Sequence, residues 1–98
     1  MDQSQDPVVR AFRDQIAEVD RLILETVNRR IEIVSSLHEY KAKHGYPAGD
    51  PIREAALIDE LEQLNPGPLS SDGLRALYHA ILEEWRRQPP PAARVAAS

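Results

Sequence analysis

Apolar positions between residues 6 and 43 recur with the period of an α-helix. At 100° per residue, seven of them fall within an arc of roughly 80°: Phe12, Ile16, Val19, Ile23, Val27, Val34 and Leu37. Asp6 supplies an N-cap acceptor, Pro7 suits the first helical position, and the segment HGYPAGDP after Lys43 breaks the pattern. We therefore predict one helix from about Pro7 to Lys43, roughly 55 Å long. Because a compact domain of this size is narrower than that, the helix needs another chain to lie against.

Two shorter helices follow the first. The second begins at Asp50-Pro51, which repeats the N-cap and proline signal, and runs to about Leu64, where the segment NPGP stops it. The third begins at Ser70 and lasts until about Gln88, before a run of prolines. No segment alternates as a β-strand does, and no repeat is visible. The pattern predicts an all-α, three-helix protomer with one long N-terminal helix.

The chain has the size of one small domain. Its 98 residues allow only a modest core, and its content of 42% hydrophobic and 29% charged residues is that of a globular protein. We predict a helical domain over residues 6–88. We expect disordered tails at residues 1–5, which are polar, and at residues 89–98, which are rich in proline and alanine.

Composition disfavours several classes of function. The chain contains no cysteine, and its three histidines have no metal-binding spacing, so we expect His38, His44 and His79 at the surface or at helix ends. A net charge of -4 disfavours nucleic acid as the main partner. There is neither an apolar run of about 18 residues nor a basic leader. We therefore expect no membrane span, no signal peptide and a cytoplasmic location.

Charged residues interrupt the apolar faces of two predicted helices. Arg30 and Lys41 project into the centre of the first arc, where burying an unpaired cation is costly. Glu54 falls in the apolar stripe of the second helix, and Arg13 lies on the flank of the first. Two more charged residues border the second stripe: Asp50 and Arg53.

Two interpretations of these charges are open. Glu54 pairs with Arg30 or Lys41 in a structural salt bridge, or the excess of positive charge binds an anionic ligand. Arg30 and Lys41 stand roughly 16 Å apart along a helix, and each side chain reaches about 6 Å toward the other. The remaining gap suits a small organic anion with more than one acidic group.

The charged residues also match a known family. The segments FRDQIAEVDRLILETVNRR, YK and DPIRE closely resemble the all-helical AroQ class of chorismate mutases, and the likeness extends over about residues 8–88. It rests on this ordered set: Arg13, Asp20, Arg30, Lys41, Asp50, Arg53 and Glu54. The resemblance implies an intertwined homodimer whose two active sites each borrow an arginine from the other chain. It also implies the reaction, rearrangement of chorismate to prephenate in phenylalanine and tyrosine biosynthesis.

The resemblance assigns a role to each cation. Arg30 and the partner subunit's Arg13 would hold the two carboxylates of chorismate, with Arg53 assisting. Lys41 would meet the ether oxygen, on which negative charge develops as the C–O bond breaks. Because the rearrangement is a single pericyclic step, we expect no metal, no cofactor and no nucleophile.

The acidic residues would hold the remaining polar group of the substrate. Glu54 and the backbone near Asp50 match the family's groups that bind the ring hydroxyl. The dicarboxylate chorismate is thus the implied small-molecule partner. Some intracellular members are also activated by 3-deoxy-arabino-heptulosonate 7-phosphate synthase, so this enzyme is an implied protein partner.

The third helix departs from the family pattern. Members usually offer a serine and, four residues later, a glutamine or glutamate that donates to the ether oxygen. The apolar period puts Trp85 and a proline in those places, whereas a shift by one residue gives Glu84 and Gln88. The helical wheel favours Gln88 as the donor, since it lies between Leu77 and Ile81 on the predicted inward stripe. The alternative that Gln88 is a frayed surface glutamine beside the proline tail stays open. Trp85 is expected in the core.

Two other functions stay open. An isochorismate-pyruvate lyase of the same fold would also use the Arg30 and Lys41 pair, although the complete DPIRE segment resembles the mutases more. A non-catalytic dimerisation module that senses a metabolite of the aromatic pathway would keep the pocket without turnover.

Overall fold

The structure, a computed structural model, describes residues 2–87. These residues form a short 3-10 turn and three α-helices, with no strand among them. The bounds are Gln3–Gln5 for the turn, Pro7–Lys43 for α1, Pro51–Leu64 for α2 and Ser71–Arg86 for α3. The predicted all-α fold with one long N-terminal helix is confirmed. None of the three helices is long and apolar enough to cross a membrane. The domain boundaries stay predictions, and residues 89–98 lie outside the described part.

The first two helices begin at their predicted caps. Asp6 Oδ1 accepts a hydrogen bond from the Val8 N–H at 2.8 Å, and Asp50 Oδ1 accepts one from the Arg53 N–H at 3.0 Å. In both helices proline occupies the first helical position, where its missing N–H leaves no hydrogen bond unmade. Local side-chain chemistry therefore sets where α1 and α2 start.

The N-terminal part of α1 builds no core of its own. A boundary between two compact units lies inside α1, since the first unit ends at Ile33 and the second begins at Val34. Between residues 2 and 33 no side chain is fully buried. Phe12 is 60% exposed and Ile23 is 56% exposed, although both belong to the predicted apolar stripe. The stripe is therefore open to solvent along this part of the chain.

The second unit contains a small core between α2 and α3. Ile58 of α2 is buried together with Leu74 and Leu82 of α3, and Leu61 and Tyr78 pack against them. Ile58 and Leu61 are stripe positions that the helical period predicts. This apolar contact is what holds α2 and α3 together.

A charged cluster links the exposed sides of the same two helices. Arg75 donates to both carboxylate oxygens of Glu62, at 2.7 and 2.6 Å, and to Asp59 at 3.0 Å. Because these side chains are partly exposed, water screens the ion pairs and their contribution to stability is small. The cluster orients the helices that the core has already joined.

One predicted inward position of α3 does not face α2. Leu77 is 49% exposed, whereas Leu74 and Leu82 are buried against α2. The difference arises because α2 approaches α3 from the side of Leu74 and Leu82, and a helical wheel contains no information on the direction of approach. The inward stripe of α3 therefore runs through Leu74, Tyr78 and Leu82 rather than through Leu77.

The N-cap of α3 provides a test of the fold. Ser70 Oγ accepts a hydrogen bond from the Gly73 N–H at 3.0 Å, and a Cβ atom at position 73 would lie 2.9 Å from that oxygen. We expect Ser70→Ala to lower the free energy of unfolding by about 1 kcal/mol, because the first turn loses its side-chain acceptor.

The control is Ser71→Ala, which removes a hydroxyl at the first helical position instead of at the cap. It should change the free energy of unfolding by less than about 0.5 kcal/mol. Urea unfolding of both variants at the same protein concentration measures the difference. Equal effects of the two substitutions would contradict the capping role of Ser70.

Candidate active site

The predicted site residues lie on α1 and at the start of α2. Arg30, Lys41 and Glu54 are partly buried in the chain. Three other site residues are exposed: Arg13, Asp50 and Arg53. Of these six residues, Arg13 and Arg30 belong to the first compact unit and the other four belong to the second. Gln88 lies outside the described residues.

Asp50 caps the N-terminus of α2. Its carboxylate caps α2 by accepting from the Arg53 N–H at 3.0 Å, and its carbonyl accepts from the Glu54 N–H at 3.1 Å. These two hydrogen bonds start the helix that carries Arg53 and Glu54. Asp50 therefore positions both side chains through the first turn of α2.

Glu54 forms an ion pair with a residue of α3. Arg86 Nη2 donates to Glu54 Oε2 at 2.9 Å, and Arg86 Nη1 donates to Glu83 Oε2 at 3.2 Å. Glu54 therefore pairs with Arg86 of α3 and not, as one interpretation of the sequence had it, with Arg30 or Lys41 of α1. The reason is that the end of α3 lies beside the first turn of α2.

The C-terminus of α1 is capped by hydrogen bonds to the Lys41 carbonyl. The Lys41 carbonyl accepts from the N–H groups of His44 at 3.2 Å and Tyr46 at 2.9 Å. Gly45 between them has φ of 73°, a left-handed conformation that glycine adopts without steric cost. The His44 ring stacks on Tyr40, with ring centroids 4.0 Å apart. Lys41 thus stands on a helix end whose backbone is well held.

The turn of α1 that carries Lys41 contacts α3 through two aromatic rings. His38 stacks on Trp85, with ring centroids 4.2 Å apart and an angle of 26° between the ring planes. Neither His38 Nδ1 nor Trp85 Nε1, both buried atoms, has a hydrogen-bond partner in the described part of the chain. Partial burial, and then the charge of Lys41, lower the pKa of His38 from its ordinary value of 6.5. The surface prediction is wrong for His38, whereas His44 and His79 are exposed.

The alternatives on α3 have different surroundings. Trp85 is partly buried in the stack with His38, which is the packing role expected for it. Glu84 is exposed and accepts a hydrogen bond from Arg87 Nη1 at 2.9 Å. The choice of Gln88 as the donor to the ether oxygen stays a prediction.

Sequence analysis did not predict the contacts of His38 with Trp85 or of Arg86 with Glu54. His38 follows Val34 of the apolar stripe by four residues, and Arg86 follows the buried Leu82 by four residues. Residues four apart lie on the same face of a helix. That spacing is the signal that could have placed both side chains near a packed surface.

The cations among the predicted site residues have no ion pair in the described part of the chain, and four other cations share this property: Arg10, Arg21, Arg29 and Lys43. Three arginines at the other end of the chain, by contrast, form ion pairs: Arg75, Arg86 and Arg87. Within residues 2–87, four site cations form none: Arg13, Arg30, Lys41 and Arg53. Guanidinium and ammonium groups without a carboxylate partner are well suited to bind carboxylates of a ligand.

Comparison with protein families identifies the chain. A family model described as chorismate mutase type II matches residues 12–88, a range that includes every predicted site residue. The chain belongs to this family. The match confirms the resemblance on which the roles of the charged residues depend.

Curated relatives of this chorismate mutase type II chain are much longer than it is. The T-protein of Enterobacter agglomerans is 39% identical in an alignment 70 residues long that covers 66% of this chain and 19% of that protein. A bifunctional chorismate mutase/prephenate dehydratase of Buchnera aphidicola is 29% identical over 75 residues, and one of Neisseria gonorrhoeae is 27% identical over 84 residues. The alignments cover 76% and 86% of this chain. The chain spans about a fifth of the length of these relatives.

Solved structures share the fold at nearly their full length. Two forms of chorismate mutase from Thermus thermophilus each match with a TM-score of 0.76 and 28% sequence identity. The matches cover 79% and 82% of this chain and 96% of each solved chain. The three helices of this chain therefore have the fold of a chorismate mutase.

We expect acidification to destabilise the protein through His38. The pKa of His38 in the folded chain lies below its ordinary value of 6.5, so the unfolded chain binds the proton first. Stability that is present above the unfolded pKa is therefore lost as pH falls through the folded pKa. The free energy of unfolding, measured with urea from about pH 7.5 to pH 5, should fall less steeply in His38→Phe than in the wild type.

His79→Phe provides the control for this titration, since His79 is an exposed histidine on α3. It should retain the wild-type dependence on pH. If all three proteins lose stability at the same rate with falling pH, His38 does not cause the loss.

Proposed function

We propose that this chain catalyses the rearrangement of chorismate to prephenate, a step in phenylalanine and tyrosine biosynthesis. The observation that carries the proposal is the match of the chorismate mutase type II model to residues 12–88. A solved chorismate mutase of which 96% is covered supports activity in a domain of this size. The unpaired cations of the candidate site are the chemical reason for a dianionic substrate.

The reaction depends on positioning and electrostatics. In one pericyclic step the C–O ether bond breaks while a C–C bond forms, and no atom or proton passes between enzyme and substrate. Negative charge develops on the ether oxygen during the step. A fixed cation in a site from which water is excluded stabilises this charge without reorganisation of solvent.

The family resemblance supplies the proposed roles of the cations, and their surroundings support these roles. Lys41 meets the ether oxygen, a role supported by its capped helix end and by its lack of an ion pair within residues 34–87. Arg30 binds one substrate carboxylate, and Arg53, on the first turn of α2, assists. Both arginines are without a carboxylate partner among the described residues.

Uncharged and acidic groups of the proposed site bind the ring hydroxyl and the ether oxygen of the substrate. Glu54 accepts a hydrogen bond from the ring hydroxyl, and the backbone at Asp50 assists. Gln88 donates to the ether oxygen as the second donor, a role that rests on the sequence and the resemblance. The proposed catalytic set consists of Lys41, Arg30, Glu54 and Gln88, whereas Asp50 contributes to substrate binding.

We also propose an intertwined homodimer in which the partner subunit's Arg13 completes each site. The exposed apolar stripe between residues 12 and 23 supports a second chain along α1, because a continuous apolar face is unfavourable in water. Arg13 stands beside Phe12 of that stripe and is itself exposed. A surface that buries the stripe would bring Arg13 close to the other chain.

Two further expectations from sequence analysis stay predictions. One is activation by 3-deoxy-arabino-heptulosonate 7-phosphate synthase, which the family resemblance implies. The other is a cytoplasmic location. The comparisons do not favour the lyase or the non-catalytic module, since the matched model and solved structures are chorismate mutases.

One assay tests the proposed activity against both alternatives. Purified protein is mixed with chorismate and, separately, with isochorismate. Loss of chorismate absorbance with formation of prephenate supports the proposal. Salicylate fluorescence from isochorismate alone would instead select the lyase, and binding of chorismate without turnover would select the module.

We expect Arg30→Ala to lower kcat/KM by about 100-fold or more, because a carboxylate of the substrate loses its charged donor. The variant should remain folded, since Arg30 forms no ion pair among the described residues whose loss would strand a buried acid. Arg29→Ala is the matched control: Arg29 is the exposed neighbour of Arg30, and its removal should leave kcat/KM within about twofold.

The melting temperature of Arg30→Ala distinguishes a binding role from a structural one. A structural bridge would cost about 3 kcal/mol or more when one partner is removed. A large drop in melting temperature, in place of a purely kinetic defect, would overturn the binding role of Arg30.

Subunit mixing tests whether the sites are shared. Inactive Arg13→Ala and inactive Lys41→Ala proteins are mixed under conditions that exchange subunits. Each heterodimer then has one site with both wild-type residues, so equal mixing should restore about a quarter of wild-type activity. A mixture of Arg30→Ala with Lys41→Ala is the control and should restore none, because those residues are proposed to serve the same site from one chain. Equal recovery in both mixtures, or none in either after verified exchange, would contradict the shared site.

A further inference from the structure

We propose that Arg86 is a positioning residue that orients the Glu54 carboxylate toward the ring hydroxyl of the substrate. The inference rests on the proposed function, since it concerns the same site and the same substrate. It assigns a task to an arginine on the last turn of α3, a position outside the set of residues that the family resemblance marks.

The hydrogen bonds of Arg86 leave one oxygen of Glu54 for a ligand. Arg86 Nη2 donates to Glu54 Oε2 at 2.9 Å, and within the described residues Oε1 of Glu54 has no donor. A carboxylate is planar, so fixing one oxygen restricts the direction in which the other presents its lone pairs. A hydroxyl of a bound substrate can donate to Oε1 while Arg86 retains Oε2.

The guanidinium itself is held from a second side. Arg86 Nη1 donates to Glu83 Oε2 at 3.2 Å, within the same turn of α3. The planar fork therefore spans Glu83 and Glu54, which limits the rotamers that Arg86 can adopt. A guanidinium that donates to two acids orients Glu54 better than a lysine ammonium at the same position would.

The backbones of both partners are anchored in the core. Glu54 precedes the buried Ile58 by four residues, and Arg86 follows the buried Leu82 by four residues. Trp85, beside Arg86, stacks on His38 with ring centroids 4.2 Å apart. The distance between the Glu54 and Arg86 backbones is thus set by packed residues rather than by the ion pair.

Exposure separates the expected effect on catalysis from the effect on stability. The side chain of Arg86 is 50% exposed and that of Glu54 is 34% exposed. Ion pairs as exposed as this one contribute little to folding. Orientation of a catalytic group, by contrast, matters in the transition state even where the supporting contact is weak.

The test uses Arg86→Met, which retains the apolar stem but removes the charged fork. Rates are measured with chorismate and with the deoxy analogue of chorismate that lacks the ring hydroxyl. We expect kcat/KM for chorismate to fall about tenfold, equivalent to about 1.4 kcal/mol. For the deoxy analogue the same substitution should cost less than about twofold, because the group that Glu54 binds is absent.

Arg86→Lys should lose about threefold with chorismate, since a single ammonium cannot span both acids as the fork does. The melting temperatures of both variants should stay within about 4 °C of the wild type. If Arg86→Met fails to fold, the hydroxyl-dependent loss in Arg86→Lys decides the proposal.

Arg87→Ala is the matched control. Arg87 is the neighbouring arginine and pairs with Glu84, three residues earlier on its own helix. It should leave kcat/KM for both substrates within about twofold of the wild type.

Three results would overturn the inference. Equal losses with chorismate and with the deoxy analogue would mean that Arg86 acts on another part of the substrate. Equal kinetics of Arg86→Met and Arg87→Ala would remove the positioning role while leaving the proposed function intact. Absence of chorismate turnover in the wild type would instead overturn the proposed function, and the positioning role with it.

Discussion

Burial of the apolar stripe on α1 is the constraint on which the rest of this protein depends. Between residues 2 and 33 the chain has no buried side chain, and Phe12 and Ile23 are each more than half exposed. Exposed apolar area costs about 25 cal/mol per Å², and helix propensity alone seldom stabilises a long isolated segment in water. The proposed second copy removes this cost. The same second copy would lie close to Arg13, which is next to Phe12 and has no ion pair within residues 2–87.

The arginines of α3 and the proposed site cations differ in their ion pairing. On α3 and directly after it, Arg75, Arg86 and Arg87 pair with acids of α2 or of their own turn, and these contacts orient helices that an apolar core has joined. On α1 and at the start of α2, the site cations have no acid partner among the described residues. Cations held without partners remain available for a ligand with two carboxylates. In a reaction that develops negative charge without proton transfer, such cations can stabilise the transition state.

The last turn of α3 contacts both the C-terminal part of α1 and the start of α2, which carry candidate catalytic groups. Trp85 stacks on His38, one turn before Lys41, and the adjacent Arg86 pairs with Glu54 at the start of α2. Preorganisation of this kind needs supports whose own positions are fixed by packing. The buried Leu82, one turn earlier, supplies that fixed base. Small shifts of this turn would therefore affect both the cationic and the acidic side of the proposed site.

The sequence by itself determined the helices, because caps and prolines act within four residues of a helix end. Asp6, Asp50 and Ser70 cap where their local pattern predicts. It also marked the unusual charges at Arg30 and Lys41, since periodicity alone shows a cation on an apolar face. The tertiary structure decided which partners those faces meet. Glu54 pairs with Arg86, 32 positions later, His38 is covered by Trp85, and Leu77 is left half-exposed. A helical wheel cannot predict these contacts, because they depend on the side from which another helix approaches, and here the packing of Ile58 against Leu74 and Leu82 sets how α2 meets α3.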